Sequence, residues 1–163
     1  MPLEQWVHRQ PDHANCFNPG YLALLIQATV KAYEKQAQPM PFSLVFPAAT
    51  MVLHPGVRSS LPKTVATGWP KWLRDDPQIR VDLASSMRAL VPSIKEGALT
   101  ALRSRWIAAA PGGRLTLSTP PTLGKSPISA EFEQDLSVAT FVGKWLARAG
   151  TEQDIYIKIG VRP

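Results

Sequence analysis

The sequence predicts a mainly α-helical protein with one small β-hairpin, an α+β fold. Three observations carry this. Apolar residues recur at three- and four-residue intervals over several long stretches, most clearly in residues 82–107. The turn Pro111, Gly112, Gly113 is followed by the alternating strand pattern of Leu115, Thr116 and Leu117. With 163 residues, 45% hydrophobic and 18% charged, the chain is long enough to bury one core without disulfides or metal.

Taken in order, residues 1–17 read as an irregular arm. Asn18 and Pro19 then open a helix, because asparagine caps free amides and proline is tolerated at the first helical position. Leu22, Leu25, Ile26, Thr29, Val30 and Tyr33 mark its buried face, leave Gln27, Lys31, Glu34 and Lys35 to water, and run to about Ala37. Residues 40–54 are nearly all apolar and interrupted by Pro41 and Pro47, so they belong inside, with a short extended entry and a buried helix over 48–53. A short amphipathic helix over 67–74 is anchored by Trp69, Trp72 and Leu73.

In residues 82–118 the apolar positions are Leu83, Met87, Leu90, Ile94, Ala98, Ala101 and Leu102. Pro92 removes a backbone hydrogen bond, which predicts a break or kink after Leu90 and hence two helices. Two helices followed by a hairpin form the outline of a winged helix, so 82–118 is expected to be a winged-helix-like core. Residues 119–128 read as a loop. Residues 129–163 read as C-terminal helices, the first carrying the stripe Phe132, Leu136, Ala139, Val142, Trp145, Leu146 and Ala149, with Gly143 allowing a close neighbour. The whole is one domain, 1–163.

The net charge of +6 is unevenly placed. Residues 1–54 and 125–163 are each neutral, and the excess lies in 55–124. An acidic protein partner or a nucleic-acid backbone would suit that segment; a basic solvated face is the plainer account. Lys95, Arg103, Arg105 and Arg114 are its candidate contacts in the core, with Arg105 and the wing residue Arg114 placed to reach phosphates. Glu96 tempers the charge of the same helix. Lys71 and Arg74 lie beside two tryptophans that could stack on bases, although tryptophans on a short helix more often belong to a core.

The chemistry-bearing residues are sparse. No apolar run approaches the roughly 20 residues of a membrane helix, the N-terminal residues lack a signal-peptide pattern, and the single cysteine, Cys16, cannot form an internal disulfide. Those features point to the cytoplasm. His8, His13 and Cys16 match no closed zinc pattern. His54 and Arg58, four apart, could face a phosphate or carboxylate as part of a small enzyme, but the stronger reading has His54 satisfying a backbone group and Arg58 paired with an acid. Neither a nucleophile with its base nor a phosphate loop is apparent, so no catalytic residue, metal or cofactor is expected.

Several segments together resemble a known family. They are Phe17 to Ala23 with the helix behind them, Phe46 and Pro47 through His54, Pro55, Arg58, Leu61 and Pro62, the Trp72 to Pro77 element, and Phe141 to Arg148 with Gly160 to Pro163. In this combination the chain resembles the middle component of bacterial three-component ABC systems over most of residues 17–163. Gly20 departs from the alanine usual after asparagine and proline, though a small residue is kept. The resemblance implies an adaptor beside an ABC-type ATPase and an effector protein in defence against invading DNA. It also implies that Asn18, Pro19, His54, Arg58, Pro62 and Trp145 are motif positions of structural character. Such an adaptor, with DNA as a further candidate partner, is the first reading. A free-standing winged-helix DNA-binding regulator is the alternative.

Overall fold

A computed structural model describes residues 5, 8–10, 17–36, 38–122, 124 and 128–162. The elements are α1 (Pro19–Glu34), β1 (Met40–Pro41), α2 (Val45–Leu53), α3 (Pro55–Ser59), α4 (Trp69–Asp75), α5 (Pro77–Arg103), β2 (Ile107–Ala110), β3 (Arg114–Leu117), α6 (Ala130–Leu146) and α7 (Glu152–Ile159). A 3₁₀ turn over Phe42–Leu44 leads into α2. The mainly helical α+β expectation holds, and the hairpin falls where its turn residues place it.

Helix starts follow their caps. Asn18 Oδ1 accepts from the Gly20 amide at 2.8 Å and opens α1. His54 Nδ1 accepts from the Val57 amide at 3.1 Å and opens α3. Asp76 opens α5, with its side chain accepting from the Gln78 amide at 3.0 Å, and Ser129 opens α6 through the Phe132 amide at 3.2 Å. Thr151 and Asp154 form a reciprocal capping box at α7, and the two hydrogen bonds from Thr151 hold the Asp154 carboxyl below its ordinary pKa. Pro47 falls in the first turn of α2, where its missing amide costs no helical bond, so α2 starts at Val45, three residues ahead of the expected start at residue 48.

The central stretch differs from the two helices expected of it. α5 runs unbroken from Pro77 to Arg103 with Pro92 inside. Pro92 leaves the Arg88 carbonyl without its helical donor, but Arg88 is exposed, so water can satisfy that group. Burial of Leu83 and Met87 before the proline and of Ser93, Ile94, Ala98 and Ala101 after it holds both halves on one line.

α1 is the central helix, with Leu22, Ala23 and Val30 fully buried. α5 packs on one side of it and α6 on another, and α2 crosses both of those helices. Both close approaches depend on a missing side chain. A Cβ at Gly97 of α5 would lie 2.5 Å from Leu22 Cβ, and one at Gly143 of α6 would lie 2.4 Å from the Thr29 carbonyl oxygen. α1 and α6 run parallel: Tyr21 meets Phe132 and Asp135 at one end, and Gln36 meets Arg148 beyond the other.

The antiparallel sheet has the order β1-β3-β2, with Met40 opposite Leu115 and Ile107 opposite Leu117. It caps the end of α1. β1 is so short that the Leu117 amide has no strand partner on that side; Glu34, at the end of α1, accepts it at 2.8 Å and also takes the Thr116 hydroxyl. The sequence pattern had left Glu34 to water. A tryptophan trio joins α4 to α6, with ring centroids of Trp69, Trp72 and Trp145 5.0 to 5.2 Å apart. α7 rests on α4 and α5, and its Tyr156 hydroxyl donates to the Ser43 carbonyl at 2.6 Å.

Two outcomes follow. Gly97→Ala and Gly143→Ala should each lower unfolding free energy in urea by about 1–3 kcal/mol through overpacking, Gly143 more, because a backbone oxygen cannot swing aside. A loss under about 0.5 kcal/mol, the range of a neutral surface change, would contradict the close approach. Burial, reinforced by the Glu152 charge, pushes the Tyr156 phenol up to about 12. An acid whose folded pKa is raised contributes stability that is complete below its unfolded pKa, about 10, and lost as pH rises toward 12. Tyr156→Phe should flatten that loss in melts between pH 9 and 12.

Candidate partner-docking surface

Of the residues singled out for contact, Lys95 lies in the most suggestive setting. α5 presents Arg88, Val91 and Lys95 along one exposed or half-buried face, spaced at three and four residues. The C-terminal residues Gly160, Val161 and Arg162 come alongside. Together with Phe46, Met87 and Tyr156 these line a cleft of about 580 Å³ with an apolar floor and three cations, Arg88, Lys95 and Arg162, at its rim. Among the described residues, no acidic one lines it. Glu96, which in the sequence tempers this helix, is taken up by Arg9: the guanidinium donates to both carboxylate oxygens, at 2.7 and 2.8 Å, with the Arg9 side chain only 5% exposed. The pair cancels the acid locally and ties the N-terminal arm, otherwise mostly outside the described residues, to α5.

The arginines expected to act together are separated. Arg103 and Arg105 are both exposed at the end of α5, Arg105 in a left-handed backbone conformation with φ of 58°. Arg114 stands at the other end of the hairpin, opposite Ala110 and Pro41, and its Nη1 donates to the Pro39 carbonyl at 2.8 Å. That bond spans the gap between the sheet and the chain entering β1, at the end of the hairpin away from Arg105. Lys71 pairs with Asp75 one turn on, and Arg74 is exposed. Trp69 and Trp72, 1% and 4% exposed, offer no face for stacking on a base.

The motif positions hold the fold together. Asn18 and Pro19 start α1 and His54 caps α3. Arg58 pairs with Asp135 of α6, whose other oxygen accepts the Tyr21 hydroxyl at 2.7 Å. This network links α3, α1 and α6 beside a cleft of about 610 Å³ that Phe17 and Phe132 also line. Pro62 is half-buried in the connection to α4. Trp145, 1% exposed, donates from Nε1 to the Thr67 carbonyl at 2.7 Å, and Trp72 Nε1 donates to the Ser60 carbonyl at 2.8 Å. Both bonds fasten the connection 60–68 to the trio. Among the described residues, Trp69 Nε1 alone is buried without a hydrogen-bond partner.

Of the possible metal ligands His8, His13 and Cys16, the last two lie outside the described residues, and no group of three or more possible metal ligands occurs among those described. No described helix is long and apolar enough to cross a membrane. Periodicity along one helix could not have found Arg9 with Glu96, Arg58 with Asp135 or Glu34 with β3, since each joins residues 77 or more positions apart. Arg58→Met should cost about 1–3 kcal/mol in chemical denaturation by leaving a part-buried carboxylate short of its cation, and Asp135→Asn should recover less than half of the loss in the double variant. An Arg58→Met protein as stable as the parent would show the pair to be incidental.

No curated protein and no solved structure matches the chain. The family model described as ABC-three component (ABC-3C) system Middle Component 3 matches residues 6–163, nearly the whole chain including the cleft and the motif positions, and the chain therefore belongs to that family.

Proposed function

We propose that this chain is a non-enzymatic adaptor, linking an ABC-type ATPase to an effector protein in a bacterial system of defence against invading DNA, and acting in the cytoplasm. Family membership supports its place among the components of such a system. The observation that carries the docking role is the cleft of Arg88, Lys95 and Arg162, an apolar floor with unopposed positive charge. A rim of this kind steers an acidic partner and fixes its register, while the floor supplies the affinity. The non-enzymatic part draws support from His54 and Arg58, the polar groups nearest to a catalytic pattern: one caps a helix and the other is held by Asp135.

Residues 82–118, expected to be a winged-helix-like core by themselves, hold one helix and the hairpin, so we read such a core only with α1, β1 and α2 added. The strand order β1-β3-β2 and the hairpin directly after the longest helix support that reading. The alternative of a free-standing DNA-binding regulator has less behind it, since one Arg114 nitrogen is taken up by the Pro39 carbonyl. DNA contact stays a secondary claim carried by Arg103 and Arg105.

Two measurements test these claims. Purified chain should retain the ATPase or the effector encoded beside it, and reversing the cleft with Arg88→Glu, Lys95→Glu and Arg162→Glu should weaken that capture by about tenfold or more, with an unchanged melting temperature. Capture of neither protein by the parent chain would sink the adaptor reading. For DNA, binding should fall steeply between low and moderate salt and drop again in Arg103→Ala with Arg105→Ala. Equal affinity in that double variant would remove DNA contact.

A further inference from the structure

A second cleft, of about 370 Å³, lies between α1 and α6, with Pro121 of the loop before α6 also lining it. Leu24, Ala28 and Leu136 form its apolar side, and Lys31, Lys35 and Lys144 stand at its other end. The parallel course of the two helices puts these lysines together, because each belongs to the last turn or C-cap of its helix. Among the described residues, no acidic one lines the cleft. Glu34, on the same helix as Lys31, is turned to Thr116 and Leu117. Division of the sequence into segments hid this site, since residues 1–54 and 125–163 are each neutral.

Lysines near helix C-termini have a general explanation in the negative end of the helix dipole. That explanation leaves Gln27 unaccounted for. Gln27 lines the same cleft, is only 7% exposed, and has no side-chain hydrogen bond among the described residues. The amide is not sealed from water, since among the described residues Trp69 Nε1 alone is buried without a partner. Here its opening to a partner is the cleft.

We propose that the α1–α6 cleft is a second protein-docking site, which takes an acidic, amphipathic segment of a partner: one or more Asp or Glu side chains on Lys31, Lys35 and Lys144, an adjacent hydrogen bond to the Gln27 amide, and an apolar side chain against Leu24 and Leu136. Three cations with no acid favour carboxylates, and the apolar floor beside them favours a segment that alternates the two characters. The proposal rests on the adaptor reading, and gives the chain a docking face distinct from the Arg88, Lys95 and Arg162 cleft, as a link between two proteins requires.

Zero-length carbodiimide coupling, which joins a lysine amine to a carboxylate in direct contact, tests it. The parent chain is assembled with the purified ATPase and effector, coupled, digested and analysed by mass spectrometry. The expected result is a cross-link from Lys31, Lys35 or Lys144 to an Asp or Glu of one of them. Lys31→Arg, Lys35→Arg and Lys144→Arg together should keep the complex and lose the cross-link. The corresponding Lys→Glu triple variant should weaken that complex about tenfold or more, and Gln27→Leu should weaken it about threefold or more, with thermal melts confirming that each variant is folded. A complex that forms with the parent, shows no cross-link from these lysines and keeps its affinity in the Lys→Glu variant overturns the proposal and leaves the adaptor reading standing. A parent chain that captures neither protein overturns both. The exposed lysines make the Lys→Glu variant decisive even where Gln27→Leu alters folding.

Discussion

The fold depends on how closely two helices approach α1. Gly97 lets α5 settle against Leu22 and Ala23, and Gly143 lets the α6 backbone approach the Thr29 carbonyl to a distance that no side chain permits. Core packing is dense, and a methyl group at either point has no space to enter. With α1 held on both sides, its ends become the fixed points of the molecule. One end carries Tyr21 into the Asp135 and Arg58 network. The other carries Glu34 into the sheet and the lysines to the mouth of a cleft. The remaining elements close over this three-helix arrangement: α2 crosses it, the tryptophan trio seals the connection to α4, and α7 covers α5.

That arrangement explains why polar residues that suggest chemistry in the sequence serve structure in the fold. His54 follows a buried apolar helix and precedes a proline, so its ring nitrogen is the nearest acceptor for an amide at the start of the next helix. Arg58 lies one turn on and reaches Asp135 across the gap between α3 and α6. Arg114 closes the short sheet on Pro39. What remains for contact with other molecules is charge without opposition. At the α5 cleft this arises because Arg9 has neutralised Glu96; at the α1–α6 cleft it arises because Glu34 has turned toward the hairpin.

Local patterns were legible in the sequence, and long-range pairings were not. The caps at Asn18 and Ser129, the hairpin turn at Pro111 to Gly113, the glycine at 143 and the final helices follow from side-chain chemistry within a few residues. The central break was expected from Pro92 because proline rules consider only the local backbone. The structure keeps one helix because burial on both sides of the proline outweighs one hydrogen bond lost at an exposed residue, Arg88. The excess of basic residues in 55–124 led to Lys95, and through it to one cleft. It missed the other, where Lys31, Lys35 and Lys144 come from two segments that each sum to zero, and it grouped Arg114 with Arg103 and Arg105 because a linear count cannot tell the two ends of a hairpin apart.

The central claim is that the chain bridges two proteins through separate faces of one rigid helical core. Size-exclusion chromatography with light scattering, run on the ATPase and effector with and without this chain, tests it most directly. The account predicts a ternary species that contains all three proteins when the chain is present, and separate ATPase and effector peaks when it is left out. An ATPase and effector that co-elute without the chain, or a mixture in which the chain elutes alone, would contradict it.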